Sequence, residues 1–536
     1  METVAARITA ALALDGFAPK VQAGGLSFRG TVDLRGAAIP LRLDYEGLDF
    51  SSPPTVVVER PELLGDRVVP HLDEHNVLCV FNARQYVADR YLAAEQARGI
   101  VARAKEVLEE GLQARGVAEV VEEFPGHWGG ALVGIEFAAF GGTAEAYSDA
   151  RGALTFRRKK GVGRSVPNAA LVLKTSVPLS FRTDQQRPAT LGEVVAWAGS
   201  WDASLPERML AGLVALSPRN PYVFLYAPNG VVGFELDVAS KGPKVASVLT
   251  TQGGWARLLR GSFGRNLPIR RVHGRRVDMD YVLGTNSASG TAPLAGKNIV
   301  LVGCGAIGGY LSVALAQLGA GLGDGMLTLM DAEVLDNRNI ARHRLGADSI
   351  GVAKAEGCRR EINRTLPELS VTPIIQKAQD CRVRLASADL VIDATGEQAV
   401  GDMLNAWRLD GAPFAMLHVW VEGNGAAVQS YFSSDPEFGC YRCLQPDHAA
   451  APRFPVLRLD ADRTMTAGCG EAPFSPYGPA APMAASALAA QHAADWSSGH
   501  PRWLLRTIRL DYAQTQDRKP SNPTRSSACP ACAEAR

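Results

Sequence analysis

Asn339, Arg342 and Lys354 follow a glycine-rich turn at a spacing that points to chemistry on a nucleotide. The apolar run Ile299-Val300-Leu301-Val302 leads straight into Gly303-Cys304-Gly305-Ala306-Ile307-Gly308. A helix-like segment follows, then a second apolar run closing on Asp331-Ala332-Glu333. A strand feeding G-x-G-x-x-G gathers backbone N–H groups and a helix N-terminus around phosphate. A carboxylate closing the next strand takes a ribose hydroxyl. A hydride-transferring NAD enzyme reads the same as far as Asp331. It has no use for the Arg and Lys beyond it. A site that promotes attack on the α-phosphate of ATP does, because cations there stabilise the charge building on the phosphate and on the departing pyrophosphate.

This order of residues resembles the ThiF/MoeB/E1 family of adenylating enzymes across 291–536. The resemblance implies that Gly303, Gly305 and Gly308 form the phosphate turn and that Asp331 binds ribose. It implies that Asn339, Arg342 and Lys354 contact the phosphates of ATP. The sequence departs from the family at three places: Glu333 stands for a second Asp, His343 for a Gln, and Asp393-Ala394-Thr395-Gly396-Glu397 for the segment with the magnesium-binding Asp. Mg²⁺ is then left to Asp393 or Glu397.

Two C-x-x-C pairs, Cys440/Cys443 and Cys529/Cys532, supply four thiolates, the donor set of a closed tetrahedral Zn²⁺ site that is structural rather than catalytic. Such a site ties the C-terminal tail to the adenylation domain. Cys469 lies between Gly468 and Gly470, in a stretch with little apolar cover. In E1-like enzymes that form a thioester, a loop of this kind presents the nucleophile. Cys79 closes Pro70-His71-Leu72-Asp73-Glu74-His75-Asn76-Val77-Leu78-Cys79. This is similar to the E2 ubiquitin-conjugating fold, where a His-Pro-Asn segment precedes the thioester Cys. No Pro follows His71 here, and Asn76 or His75 is left to stabilise the oxyanion. Alternatively, Cys79 is a small core hydrophobe on a strand. Cys304, Cys358 and Cys381 read as packing residues.

The elements that must position these residues fall into three regions of an α/β chain: 1–120, 121–290 and 291–536. In the first, Val32–Leu43 and Thr55–Glu59 read as strands, and Tyr91–Arg115 reads as a long amphipathic helix. In the second, Ala170–Leu179 and Tyr222–Leu236 are the clearest strands, with Asn286–Thr291 as a linker. In the third, strands and helices alternate as in a mostly parallel sheet, with Leu390–Asp393 and Phe414–Val421 as further strands.

The resemblance gives the fold class as an E2-like α+β domain, a linking domain of inactive adenylation-like type, and a Rossmann-like E1/ThiF domain with a four-cysteine zinc site. That order resembles the E1–E2 fusions of bacterial CBASS antiphage operons. It implies a homodimer that activates the C-terminal tail of a ubiquitin-like protein or of a nucleotidyltransferase. The acyl group would pass to Cys469, to Cys79 and then to the amine of an acceptor protein. Within enzymes the rival is a ThiF/MoeB-type activator of a sulfur carrier; outside them it is a nucleotide-binding scaffold.

A net charge of +1 over 536 residues gives no electrostatic case for nucleic acid or for a membrane surface. The apolar runs fall short of the roughly 18 residues a membrane span needs. Nine cysteines, four of them in C-x-x-C pairs, and no secretory leader after Met1 point to a reducing, cytoplasmic setting.

Overall fold

The computed structural model describes the chain apart from residues 1–2, 23–24, 48–51, 66–67, 82–85, 114–119, 123, 137–140, 150, 159–163, 182–185, 217–220, 239–251, 434–436, 463–474, 500 and 534–536. It divides into two compact units, Met1–Asp278 and Met279–Arg536. Asn286–Thr291 therefore lies inside the second unit.

The first unit opens with α1 (Val4–Leu14), whose first turn is capped by the Thr3 hydroxyl accepting from the Ala6 N–H. An antiparallel sheet follows in chain order: β1 (Ala18–Gln22), β2 (Gly25–Leu34), β3 (Ala37–Glu46), β4 (Thr55–Val58) and β5 (Val77–Leu78). The stretch Val32–Leu43, expected as one strand, is two. Arg35 and Gly36 both take positive φ (54° and 89°), the conformation of a two-residue hairpin turn. Alternation then buries Val32 and Leu34 on β2 against Ile39, Leu41 and Leu43 on β3. The long helix is α2 (Ala93–Gly111). Its apolar stripe, Ala97, Ile100, Val101, Ala104, Val107 and Leu108, packs with Ile8 and Leu12 of α1 against the sheet.

The remainder of this unit is a closed barrel. It is built from β6 (Ala131–Glu136), β7 (Gly142–Ser148), β8 (Leu154–Arg157), β9 (Arg164–Lys174), β10 (Tyr222–Ala227), β11 (Gly230–Leu236) and β12 (Ile269–Arg276). The strand order is β10-β11-β12-β6-β8-β7-β9, and parallel pairing of β9 with β10 closes it. Tyr222–Leu236, expected as one strand, is the hairpin β10–β11. Val133, Ile135, Ala146, Phe156, Val172, Phe224 and Val272 fill the interior. Two helices, α3 (Leu191–Trp201) and α4 (Leu205–Ala215), cover one side around Trp128, Trp197 and Trp255. This corrects the expectation of a second, inactive adenylation-like lobe. Such a lobe needs an open parallel sheet with helices on both faces, and the pairing here is mixed and closed.

The second unit is built on a seven-stranded sheet ordered β15-β14-β13-β16-β17-β18-β19. Its strands are β13 (Asn298–Val302), β14 (Met326–Met330), β15 (Val371–Ile374), β16 (Leu390–Asp393), β17 (Ala415–Glu422), β18 (Ala427–Ser433) and β19 (Leu505–Arg509). The first five in chain order pair parallel, and β18 and β19 add antiparallel. The runs 299–302 of β13 and 390–392 of β16 are apolar and buried because both faces of the sheet are covered. On one face α5 (Ala306–Gln317), α6 (Lys354–Thr365) and α8 (Ala480–Ser497) pack on Leu301, Leu329 and Ile392. On the other, α7 (Gln398–Leu409) packs on Val300, Val391 and Met416. The strand order reverses between β13 and β16, and a crevice opens beyond their carboxyl ends, the place where doubly wound sheets bind ligands.

Candidate functional site

A cavity of about 1300 Å³ lies at that switch point. Of the nucleotide residues expected from the sequence, Gly303, Gly305, Asp331, Arg342 and Asp393 line it, together with Glu333 and Glu397. Gly303 has φ 87°, and its N–H donates to Met330 O at 2.8 Å, so the turn leaves β13 along the end of β14. A Cβ on Gly308 would stand 1.8 Å from Gly303 O; this glycine lies behind the turn and lets α5 start against it. Gly305 has no neighbour within 4 Å of where its Cβ would be, so its open side is cavity.

Asp331 accepts from the Cys304 N–H and the Glu333 N–H, both at 2.7 Å. Burial holds its carboxyl above the usual range, against those two hydrogen bonds. His343 ties the following loop to the turn. The Leu345 N–H donates to its Nδ1 at 3.0 Å, so the ring proton sits on Nε2, which donates to Cys304 O at 2.8 Å. Burial pushes the His343 pKa down, keeping the ring neutral in this role. The residue that departs from the family pattern is thus a buried brace.

The three polar residues that opened the sequence argument are not brought together on the cavity wall. The Arg342 guanidinium lies over the Tyr477 ring, 4.8 Å from its centroid, and donates to Ser475 O at 3.3 Å. Lys354 is 6% exposed, is paired to Glu333, and does not line the cavity. Asn339 lies outside the lining too, because its side-chain oxygen caps the Asp336 N–H at 3.1 Å in a reciprocal capping box.

Asp393 closes β16 with both oxygens engaged. One accepts from the Thr395 N–H (3.1 Å) and hydroxyl (2.7 Å); the other accepts from His418 Nδ1 (3.1 Å). That leaves Glu397, exposed on the cavity wall at the start of α7, as the freer carboxylate for Mg²⁺. Sequence reasoning missed His418 and Tyr441. His418 is a lone imidazole within the apolar run of β17, in register with Asp393. Tyr441, between the first two cysteines, stacks on it with ring centroids 3.8 Å apart. An imidazole inside the apolar run 415–421 was the available signal.

Cys440, Cys443, Cys529 and Cys532 do come together, all buried. Their sulfurs stand 3.8 Å (440–443), 3.7 Å (440–529) and 3.4 Å (443–532) apart. A tetrahedron with Zn–S bonds of about 2.3 Å has edges of about 3.8 Å, so the donor set fits Zn²⁺. The Ser526 N–H donates to Cys443 Sγ at 3.4 Å, as expected beside a thiolate.

In the first unit Cys79 is exposed just after β5. Its N–H donates to His71 O at 2.7 Å, and its Sγ lies 3.3 Å from Phe81 O. The preceding turn is tightly built. His71 and Asn76 take φ of 60° and 62°, and Asp73 Oδ1 accepts from the N–H groups of His75 and Val77. Glu74 anchors the turn to the barrel by accepting from the Gly130 N–H at 2.8 Å and pairing with Arg271 at 3.7 Å. Cys469 lies outside the described residues.

The reversed strand order, the glycine turn and the acidic end of β14 define a nucleotide-binding protein of the doubly wound α/β class. The ThiF family model matches residues 281–531. The molybdopterin-synthase adenylyltransferase of Salmonella typhimurium is 30% identical over 179 residues, 32% of this chain and 67% of that protein. The chain belongs to the ThiF family and is an enzyme of the E1-like, adenylating kind. It is also similar, across both units, to the ATP-dependent ubiquitin transferase-like protein Cap2 of Pseudomonas aeruginosa, at 29% identity over 517 residues, 92% of this chain and 91% of that one. Among solved structures, E. coli MccB with ATP aligns with a TM-score of 0.35 and 20% identity over 47% of this chain and 70% of that one. Among the described residues, no helix is long and apolar enough to cross a membrane.

Proposed function

We propose that this chain activates the C-terminal carboxylate of a protein with ATP, carries it as a thioester on Cys469 and then Cys79, and delivers it to an amine, as in ubiquitin-like ligation of CBASS antiphage defence. The observation that carries this reading is the match to a ubiquitin transferase-like relative along nearly the whole of both chains, the Cys79 unit included. The domain reading is an E2-like portion over 1–120, a linking portion over 121–290 and an adenylation portion over 291–536.

ATP sits with its phosphates on the Gly303–Gly308 turn and its ribose at Asp331. Glu397 or Asp393 would hold Mg²⁺, which when bound would supply positive charge beside the phosphates. The tail carboxylate attacks the α-phosphate and pyrophosphate leaves. Arg342, released from Ser475, stabilises the charge that develops, and Lys354 joins it by exchanging Glu333 for phosphate. The Cys469 thiolate then attacks the acyl carbon and AMP departs; exchange onto Cys79 moves the acyl group to the first unit. Cys440, Cys443, Cys529 and Cys532 would hold Zn²⁺ and so tie the tail of the chain to the adenylation portion. The partners are a ubiquitin-like protein or a nucleotidyltransferase with a free C-terminal tail, an acceptor amine, and a second copy of this chain.

The exposed Cys79, after a turn that Glu74 anchors to the barrel by accepting from the Gly130 N–H, suits a carrier better than a core thiol. A sulfur-carrier activator is the second reading, favoured by the identity to a molybdopterin-synthase adenylyltransferase; it leaves Met1–Asp278 without a task. Mass spectrometry of the adduct trapped in cells expressing Cys79→Ala decides between them. An acylated Cys469 supports ligation. A persulfide or thiocarboxylated carrier with no protein adduct overturns it.

A further inference from the structure

His418 is the buried group of the cavity that the adenylation scheme leaves unused. It is 1% exposed, lines the cavity, and lies opposite Asp393 in the β16–β17 register. His418 Nδ1–H donates to Asp393 Oδ2 at 3.1 Å, and in the neutral imidazole this leaves the lone pair on Nε2. This buried Nε2 has no hydrogen-bond partner among the described residues. A buried acceptor without a partner costs free energy, which a donor supplied by a bound ligand would offset.

The ring is also held from the other side. Tyr441 stacks on it at 16° between ring planes. Tyr441 is itself fixed by its N–H donating to Asn405 Oδ1 (3.1 Å) and its hydroxyl to Gln398 Oε1 (3.3 Å), both on α7. It sits directly between Cys440 and Arg442, and Arg442 pairs with Asp402 of the same helix at 2.7 Å. The cysteine knuckle therefore presses one aromatic ring onto the imidazole at the cavity floor. Asp393 in turn holds Thr395, whose backbone backs Gly303 so closely that a Cβ on that glycine would stand 2.9 Å from the Thr395 nitrogen.

We propose that His418 is a ligand-contacting residue of the nucleotide cavity, accepting through Nε2 a hydrogen bond from a donor of the bound ligand, and that Tyr441 of the cysteine knuckle positions it. The donor is an O–H or N–H group. The nucleotide complex offers one as a hydroxyl or a metal-bound water, and the polypeptide tail offers one as a backbone amide. This rests on the nucleotide reading of the cavity given above.

The test is titration of the full chain with ATP·Mg²⁺ by calorimetry, without any tail, for wild type, His418→Ala, Tyr441→Ala and Tyr441→Phe, with zinc content and melting temperature measured on each. A lost hydrogen bond predicts affinity about five- to tenfold weaker in His418→Ala. Tyr441→Ala reproduces that loss with one zinc per chain retained, and Tyr441→Phe, which keeps the stack, stays within about twofold of wild type. If ATP binding is unchanged in His418→Ala, the titration is repeated with the sulfamoyl analogue of an acyl-adenylate. Weakening only there assigns the donor to the acyl side. Equal binding of both ligands by His418→Ala and wild type overturns the proposal while leaving the nucleotide reading intact; failure of wild type to bind ATP overturns both. Should Tyr441→Ala misfold, Tyr441→Leu, which fills the space without a ring, takes its place.

Discussion

Two glycines of one motif should fail in opposite ways when each gains a single methyl group. At Gly308 the new Cβ would lie 1.8 Å from Gly303 O and 2.8 Å from Gly303 C. Ordinary contact begins near 3.4 Å, so about 1.6 Å of movement is required, and the obstacle is backbone. Overpacking costs about 1–3 kcal/mol, and a backbone obstacle puts this case at the upper end. Alanine returns at most about 1 kcal/mol of helix propensity, since Gly308 lies in the first turn of α5. The net is about 2 kcal/mol, and at roughly 2–4 °C per kcal/mol for a unit of this size it lowers the melting temperature by about 4–8 °C. At Gly305 φ is −74°, which alanine accepts, and the Cβ meets nothing within 4 Å. Gly305→Ala should therefore melt within about 2 °C of wild type. Its methyl group occupies the space a phosphate needs, so ATP affinity should fall at least about tenfold, or 1.4 kcal/mol. Differential scanning calorimetry and ATP titration on both variants read the two effects separately. A Gly308→Ala protein that melts like wild type, or a Gly305→Ala protein with undiminished ATP affinity, would refute the assignment of these residues to packing and to phosphate approach.

Metal analysis should find one zinc per chain, and Cys440→Ser should reduce it and expose the tail beyond β19 to limited proteolysis, since four buried thiols without metal are poor packing. Cys79→Ala and Cys469→Ala should each keep ATP–pyrophosphate exchange within about twofold, because adenylation precedes the thioesters; non-reducing gels should show the thiol-sensitive adduct lost from the substituted position, and exchange abolished by either change would contradict the order of steps. His492, fully buried between Ser430 and Trp503, has its pKa pushed down to about 3, first by burial and then by Arg506. The unfolded chain takes the proton first, so stability is complete above about pH 6.5 and is lost as pH falls from there toward about 3. The loss at about pH 5 is of order 2 kcal/mol, and denaturant melts of His492→Gln should show a flatter acid limb than wild type.

The parts of this molecule legible in the sequence are those where local signals and chemistry coincide. The glycine turn needs a strand before it and a helix after it, and all three are contiguous in residues 298–317. The cysteine pairs declare a shared site whatever the distance between them along the chain. The barrel was illegible for the opposite reason. Its closure depends on β9 meeting β10 in parallel across two intervening helices, and on β12 meeting β6 across most of the region. Alternating strands carry no mark of which partner they will find. Arg35-Gly36 was overlooked as a turn because arginine is an unusual residue at positive φ, and the apolar positions on either side continue without a break. One imidazole in an apolar strand does not announce a partner from sequence; the register of His418 with Asp393 is a tertiary fact.

The placement of the cations bears on how the site must work. Lys354 has a carboxylate partner in Glu333, Arg342 has an aromatic face and a carbonyl, and Asn339 has a backbone N–H. A phosphate reaching these groups exchanges one partner for another, so each contributes the difference between two interactions rather than a whole one. The differences are unequal. Glu333 is largely exposed, so releasing it returns a carboxylate to water at low cost, and Lys354 gains a more highly charged partner. Asn339 would give up a cap that holds the Asp336 turn, leaving that N–H without a protein partner among the described residues. Lys354→Ala should therefore reduce pyrophosphate exchange by about a hundredfold or more, as loss of a transition-state cation does. Asn339→Ala should act chiefly by loosening the loop that carries Arg342, raising KM with a smaller change in kcat. Equal effects of the two substitutions on kcat would mean that Asn339 leaves its cap and joins Lys354 at the phosphate.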